Sequence, residues 1–236
     1  MTVLEARHVS KEYRGGDGGV LRVLDDVSLA VRAGEMVAVV GASGAGKSTL
    51  LHVLGALDRP TRGDVWIGGA SLGGRTDEAL AALRNRDVGF VFQFHHLLRE
   101  FSALENVALP LRILGASAAA ARDRAATLLD LVGLASRAHH RPAALSGGEQ
   151  QRTAVARALA AEPSVLLADE PSGNLDHHNA ERLHDLFGEV AHRLGTGMVV
   201  VTHNRSLAAR ADRVLRLDDG RLVSAELDGD GAAGVA

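Results

Sequence analysis

Short apolar runs separated by glycine-rich turns dominate the first third of the chain. Val27, Leu29 and Val31 alternate with polar or small residues, the period of a strand with one buried face. Gly15–Gly19 reads as a loop between two strands. Glu35–Val40 is a short apolar run ending at Gly41, as expected of a parallel strand covered on both faces. A helix is predicted over Ser48–Leu57 and further short strands over Val65–Ile67 and Val88–Phe92. From Ser102 to Arg137 the period changes. Leu104, Val107, Leu111 and Leu114 recur at helical spacing, Ala118–Leu134 gives a second helix rich in alanine and leucine, and Gly147–Ala161 a third. Alternation then returns: strand Val165–Ala168, helix Asn179–Leu194, strand Met198–Thr202, and short strands at Val214–Leu217 and Leu222–Ala225. This is an α/β pattern interrupted by a mostly helical block at about 95–160. The Gly/Ala-rich end, 226–236, is expected to be a disordered tail.

Composition narrows the class. With 236 residues, 46% hydrophobic and 23% charged, the chain suits one large domain, or a core with an inserted subdomain, and not a disordered or fibrous protein. Twenty-six basic against 29 acidic residues leave a net charge of -3 and no basic stripe, which argues against nucleic acid as a partner. The absence of cysteine excludes disulfides and thiolate metal sites and permits a reducing compartment. The longest apolar run, Met36–Ala42, is about a third of the roughly 20 residues that cross a bilayer. Met1–Glu5 lacks the charged and apolar regions of a signal peptide, so no membrane span and no export signal are expected. Only Lys11 and Lys47 are lysines; every other basic residue is arginine.

The second of those lysines lies in Gly41-Ala42-Ser43-Gly44-Ala45-Gly46-Lys47-Ser48, which fits G-x-x-x-x-G-K-[ST] between a buried strand and a helix. Glycines let the backbone wrap closely, and successive N–H groups with the helix N-terminus offer partial positive charge to phosphates. Lys47 can reach the β- and γ-phosphates, and the Ser48 hydroxyl can ligate Mg²⁺. Val165-Leu166-Leu167-Ala168-Asp169-Glu170 is an apolar strand ending in two carboxylates, at the edge of a parallel sheet where a phosphate loop also lies. Asp169 is then placed to hold Mg²⁺, and Glu170 to orient and deprotonate an attacking water. Glutamate is a weak base at its ordinary pKa of about 4.3, so position must supply most of its effect. A small GTPase would need an Asn-Lys-x-Asp motif, and neither lysine follows an asparagine.

Leu145-Ser146-Gly147-Gly148-Glu149-Gln150 resembles the signature motif of ABC-type ATPases. Read by itself, it is a serine hydroxyl and glycine N–H groups opening a helix, a second anion site. The resemblance extends from about residue 2 to 225. It implies a P-loop NTPase (RecA-like) parallel-sheet core with an N-terminal antiparallel β subdomain and the helical block inserted, forming one ATPase domain. It also implies that 41–48 and Thr49 bind ATP, and that Ser146, Gly147 and Gly148 serve the γ-phosphate of a partner subunit in a head-to-tail homodimer. Gln93 resembles the Q-loop glutamine that touches Mg²⁺ and the nucleophilic water. Ser172-Gly173-Asn174-Leu175-Asp176 resembles the D-loop, with Asp176 working across the dimer. His203 resembles the switch histidine at the γ-phosphate, and Tyr13, the only tyrosine, the aromatic that stacks on adenine.

Gln93–Val107, Leu54–Gly63 and Gly173–Asp176 are similar to the lipoprotein-releasing group of these ATPases, which also holds the macrolide-export and cell-division types. The His95–His96 pair favours lipoprotein release. As zinc ligands the two are poorly placed, because adjacent residues of an extended segment face opposite ways; a docking surface fits better. Three positions depart from the group's pattern: Arg99 stands where proline is usual, Ser172 replaces threonine, and Asn204 replaces aspartate after the switch histidine. The resemblance implies an ATP hydrolase of the transport-coupled translocase class, peripheral on the cytoplasmic face of the inner membrane and bound to two integral-membrane permease subunits. Within the family, macrolide- or peptide-export and cell-division ATPases are the alternatives. A soluble ABC ATPase acting on nucleic acid or ribosomes is the alternative of another class; it calls for a long coiled coil or tandem cassettes, which this chain lacks.

Overall fold

Strand β1 (Thr2–Arg14) pairs with β2 (Val20–Arg32); β3 (Met36–Val40) follows, then helix α1 (Lys47–Leu54), β4 (Arg62–Ile67) and β5 (Ala70–Ser71). Next come α2 (Asp77–Asp87), β6 (Val88–Phe92), α3 (Ala103–Ile113), α4 (Ala118–Leu131) and α5 (Gly147–Ala158). The chain closes with β7 (Val165–Asp169), α6 (His177–Leu194), β8 (Gly197–Val201), α7 (Arg205–Ala208), β9 (Arg213–Asp218) and β10 (Arg221–Ser224). This computed structural model describes residues 1–16 and 18–225, so the expected tail lies outside the described residues.

The strands form two sheets, an antiparallel one in the order β2-β1-β4-β5 and a six-stranded one in the order β10-β9-β3-β8-β7-β6. In the second, β9, β3, β8, β7 and β6 run parallel, and only β10 is antiparallel to its neighbour. A parallel strand buried on both faces reads as a continuous apolar run, and β3 and β8 do so. Their side chains nevertheless alternate between two cores. Val37, Val39, Leu167, Val199 and Val201 pack with the antiparallel sheet and with Leu50 and Leu54 of α1. Met36, Leu166, Ala168, Met198 and Val200 point the other way, into a core shared with α3, α4, α5 and α6. On α6, Leu183, Leu186, Phe187 and Val190 are buried at helical spacing and close this second core. The fold is thus the expected α/β class: an antiparallel β subdomain, a parallel-sheet core and helices.

Several boundaries differ from the sequence pattern, each for a local reason. Helix α1 stops at Leu54 instead of Leu57, because Gly55 lies directly against the Phe90 ring with no room for a side chain and Ala56 turns left-handed (φ 58°). The helices expected to end at Leu134 and Ala161 end at Leu131 and Ala158, where each meets a tight turn. Helix α2 carries only Leu80 and Leu83 as buried residues, too thin a stripe to show as periodicity. Its start is marked by Thr76, whose hydroxyl accepts from the Ala79 N–H, with Asp77 and Glu78 in the first turn. In β1 the alternation breaks where the register slips beside His8 (φ 51°), so that Leu4 and Ala6 are buried before the slip and Val9 and Lys11 after it.

Phe187 is fully buried at the centre of the second core. Phe187→Ala should destabilise the chain by about 3–5 kcal/mol, read as the shift of a chemical-denaturation midpoint; a loss under about 1 kcal/mol would contradict this packing.

Candidate functional site

The parallel register brings the carboxyl ends of four strands to one edge. Val39 pairs with Val201, Val201 with Asp169, and Asp169 with Phe92. The residues immediately beyond those ends are therefore neighbours: the loop at 41–48, Gln93, Glu170 and the 202–203 pair.

In the loop, Gly44 and Gly46 adopt left-handed backbone (φ 80° and 97°), and Gly46 is the N-cap of α1. A Cβ on Gly46 would come within 2.8 Å of Val23 Cγ1, so only glycine lets the turn lie this close to β2. The Lys47 ammonium arches back over the loop and donates to the carbonyls of Gly41 (2.8 Å) and Ala42 (3.0 Å). Two of its three donors are used there, which fixes the ammonium above the loop with one N–H remaining. Ser48 is exposed, Thr49 half-buried, and the carboxylate of Asp169 makes no side-chain hydrogen bond or ion pair among the described residues.

Glu170 is held by three donors. Its backbone is left-handed (φ 44°), pinned by its N–H to Val201 O at 2.9 Å and by the Gly173 N–H to its own carbonyl at 3.0 Å. That turn aims the side chain at the end of β8. There Oε1 meets His203 Nδ1 at 2.9 Å, while Oε2 accepts from Thr202 Oγ1 and from the His203 N–H, both at 3.2 Å. A carboxylate can only accept, so His203 Nδ1 carries the proton of that bond. Glu170 is mostly covered and His203 mostly exposed, so the pair presents imidazole to solvent and keeps the carboxylate behind it.

Gln93 is tied to the segment after Glu170: its Nε2 donates to Asn174 Oδ1 at 2.9 Å, and Asn174 Nδ2 returns to Gln93 O at 3.3 Å. Gly173 passes so close that a Cβ there would stand 3.0 Å from Gln93 Nε2. Ser146 caps α5 through a capping box, its Oγ accepting from Glu149 N–H at 3.3 Å while Glu149 accepts from Ser146 N–H at 2.8 Å. Gly148 lies beneath the Asn179 carboxamide, with no space for a side chain. Asp176 caps α6, and both its oxygens are engaged by Asn179 (2.9 and 2.6 Å). The signature segment and the 172–176 loop are therefore joined to each other through Asn179 rather than to the loop at 41–48.

Tyr13, on β1, is partly exposed. Its hydroxyl donates to Asp58 Oδ2 at 2.9 Å, and Thr49 of α1 approaches the same phenol. Burial and the adjacent carboxylate raise the phenol pKa above its ordinary value.

A phosphate loop, a serine-glycine helix start and a carboxylate–histidine pair, in this order along the chain, match a known family. The family model for ABC transporters matches residues 24–173. The lipoprotein-releasing system ATP-binding protein LolD of Bordetella pertussis is 54% identical over 219 residues, covering 93% of this chain and 94% of that protein. LolD of Pseudomonas syringae pv. tomato is 51% identical over 223 residues, covering 94% and 98%. The chain is an ABC transporter ATPase of the LolD type. Among solved structures, the ATP-binding cassette MJ0796, a dimer in a post-hydrolysis state bound to ADP and Pi, superposes with a TM-score of 0.86 at 38% identity. That match covers 96% of this ATPase and 100% of the cassette.

In this ATPase, two of the departures noted in the sequence keep the local geometry. Asn204 still caps α7, its Oδ1 accepting from Leu207 N–H at 3.1 Å, so an aspartate is not required for the turn after His203. Ser172 is buried with its Oγ 2.9 Å from His184 Nε2. Arg99, with Phe94, His95, His96 and Leu97, lines a groove of about 600 Å³ whose other wall is Pro142, Ala143 and Gln150, just ahead of the signature helix. Arg157 of α5 holds that loop by donating to the carbonyls of His96 (2.7 Å) and His95 (2.8 Å).

Sequence reasoning gave no individual role to Thr202, Asn174, Asn179, Lys11 and Asp58, all of which contact site residues. Only Lys11 carried a signal, lying two positions before Tyr13 and hence on the same face of a strand. Thr202→Val keeps the volume but removes the donor to Glu170 and the acceptor for Asn204 N–H. ATP turnover should fall roughly tenfold, the equivalent of about 1.4 kcal/mol, with a modest loss of stability from the Asn204 N–H left without its acceptor; unaltered turnover would show that Thr202 does not orient Glu170.

Proposed function

We propose that this ATPase is the ATP-binding and hydrolysing subunit of a lipoprotein-releasing transporter. It works as a homodimer on two integral-membrane permease subunits at the cytoplasmic face of the inner membrane. The observation that carries the hydrolytic reading is the Glu170–His203 pair standing beside the phosphate loop at one sheet edge. The LolD relatives support the lipoprotein cargo, and the absence, among the described residues, of any helix long and apolar enough to cross a membrane agrees with separate membrane subunits.

The donor set fits ATP·Mg²⁺: a left-handed glycine loop with an ammonium above it, a hydroxyl at Ser48, and a carboxylate at Asp169 with no side-chain partner among the described residues. Ser48, Asp169 and Gln93 would hold Mg²⁺, which would supply positive charge against the negative charge that develops during phosphoryl transfer. The loop 41–49 binds the triphosphate and Tyr13 stacks on the adenine. Lys47 exchanges its contacts to Gly41 and Ala42 for phosphate oxygens. Glu170 accepts the proton of a water whose oxygen attacks the γ-phosphorus in line; the β–γ bridging bond breaks and ADP leaves with the bond's electrons. Thr202 and His203 fix the carboxylate for that step, and the outer edge of His203 faces the γ-phosphate.

Ser146, Gly147 and Gly148 complete the site of the partner subunit, with Asp176 at the same interface. Their connection through Asn179 to α6, and not to their own phosphate loop, supports a shared site. The segment 95–160 is then the helical subdomain, and the groove at 94–99 receives the permease. Closure of the dimer pulls on the membrane subunits through that groove, and hydrolysis reopens it.

Glu170→Gln should bind ATP, form a stable ATP-dependent dimer and turn over at least roughly 100-fold more slowly. Near-normal turnover would remove Glu170 as the base. For the cargo, the full chain expressed with lipoprotein-release permeases should co-purify with them and hydrolyse ATP faster in their presence; co-purification with a macrolide-export permease instead would reassign the transporter.

A further inference from the structure

The chain has two lysines. Lys47 sits over the phosphate loop. Lys11 has no place in that chemistry, yet it is buried, with its side chain only 11% exposed. Burying an ammonium is unfavourable unless it is paired, so its partners indicate what it is for. Nζ donates to Asp58 Oδ1 at 2.6 Å and to the Arg59 carbonyl at 2.8 Å. The same ammonium stands 4.9 Å from the centroid of the Tyr13 ring, within cation–π range.

Asp58 completes a closed arrangement. One oxygen takes Lys11 and the Arg59 N–H (2.7 Å); the other takes the Tyr13 hydroxyl. Burial works against the charge of Asp58, but the hydrogen bonds from Lys11, Tyr13 and the Arg59 N–H outweigh it and hold the carboxyl below its ordinary pKa. The aromatic ring is thus fixed at its hydroxyl end by a carboxylate and backed by an ammonium. Lys11 and Tyr13 share a face of β1, whereas Asp58 lies just past the end of α1, the helix that begins with Lys47. A base-facing ring on the antiparallel sheet is thereby locked to the element that holds the phosphates.

We infer that Lys11 and Asp58 are positioning residues for adenine recognition, holding the Tyr13 ring at a set orientation so that the base stacks without first ordering its platform. The inference rests on Tyr13 being the adenine platform. An ordered ring loses less rotamer freedom on binding, which raises affinity for the base without a contact to it. Lys11→Met keeps the apolar stem and removes the ammonium; Asp58→Asn keeps the shape and removes the charge.

The test measures equilibrium binding of ATP and of inorganic tripolyphosphate to the full chain, in the wild type, Lys11→Met, Asp58→Asn and Tyr13→Ala. Tripolyphosphate uses the phosphate loop but has no base. Lys11→Met and Asp58→Asn should each weaken ATP roughly five- to tenfold, approaching the loss in Tyr13→Ala, because stacking contributes on this order. Tripolyphosphate binding should match the wild type in all three. If Tyr13→Ala weakens ATP and the other two do not, the positioning role is wrong and the platform stands. If Tyr13→Ala binds ATP as the wild type does, the platform itself is wrong and the inference falls with it. Equal weakening of ATP and tripolyphosphate would show a general disturbance of the loop and overturn the role. Should Lys11→Met not fold, the near-isosteric Asp58→Asn decides the question.

Discussion

The in-register parallel pairing of β3, β8, β7 and β6 is the constraint on which the site depends. None of the catalytic candidates contacts another by sequence proximity; 41–48, 93, 169–170 and 202–203 are dispersed over more than half of the chain. They meet because these strands point the same way and end at the same level, and the strands pair this way because both faces are covered by apolar layers. A one-residue slip of β7 against β8 would send Leu166 and Ala168 to the wrong core and carry Glu170 away from His203.

On that frame, polar groups do the fine placement. Glu170 adopts a left-handed backbone that non-glycine residues rarely take. It is held there by backbone bonds on both sides, and its carboxylate by three donors from the end of β8. Strain of this kind persists where neighbours over-determine it, as at many reactive centres. The signature helix is tied to the same region from another direction: Gln151 of α5 donates to Phe92 O at 3.1 Å, next to Gln93, and Arg157 grips the loop that follows. The carboxyl end of β6, the loop at 94–99 and α5 are therefore mechanically connected.

Much of this could be read in the sequence. Continuous apolar runs predict buried parallel strands, and Gly41–Ser48 with Asp169–Glu170 places phosphate and metal chemistry at their ends; the fold follows from these. The class of ATPase came from Leu145–Gln150 by resemblance, because a capped helix start alone has many uses. Other parts were not legible. Thin-striped α2 gave no period, and the slip at His8 hid the alternation of β1. Asn174, Asn179 and Thr202 are ordinary loop and strand-end residues whose importance exists only once β6, β7 and β8 are aligned. Lys11 and Asp58 are 47 residues apart and meet only across two elements.

The proposed homodimer has one copy of this chain supplying half of each hydrolytic site. The most direct measurement of that sharing is ATPase activity of Lys47→Ala and Ser146→Arg chains, each assayed alone and after mixing. Each alone should be inactive, and the mixture should regain partial activity, since a mixed dimer contains one intact phosphate loop facing one intact signature. A mixture as inactive as its components, with mixed dimers demonstrated to form, or full activity in a strict monomer, would contradict the account.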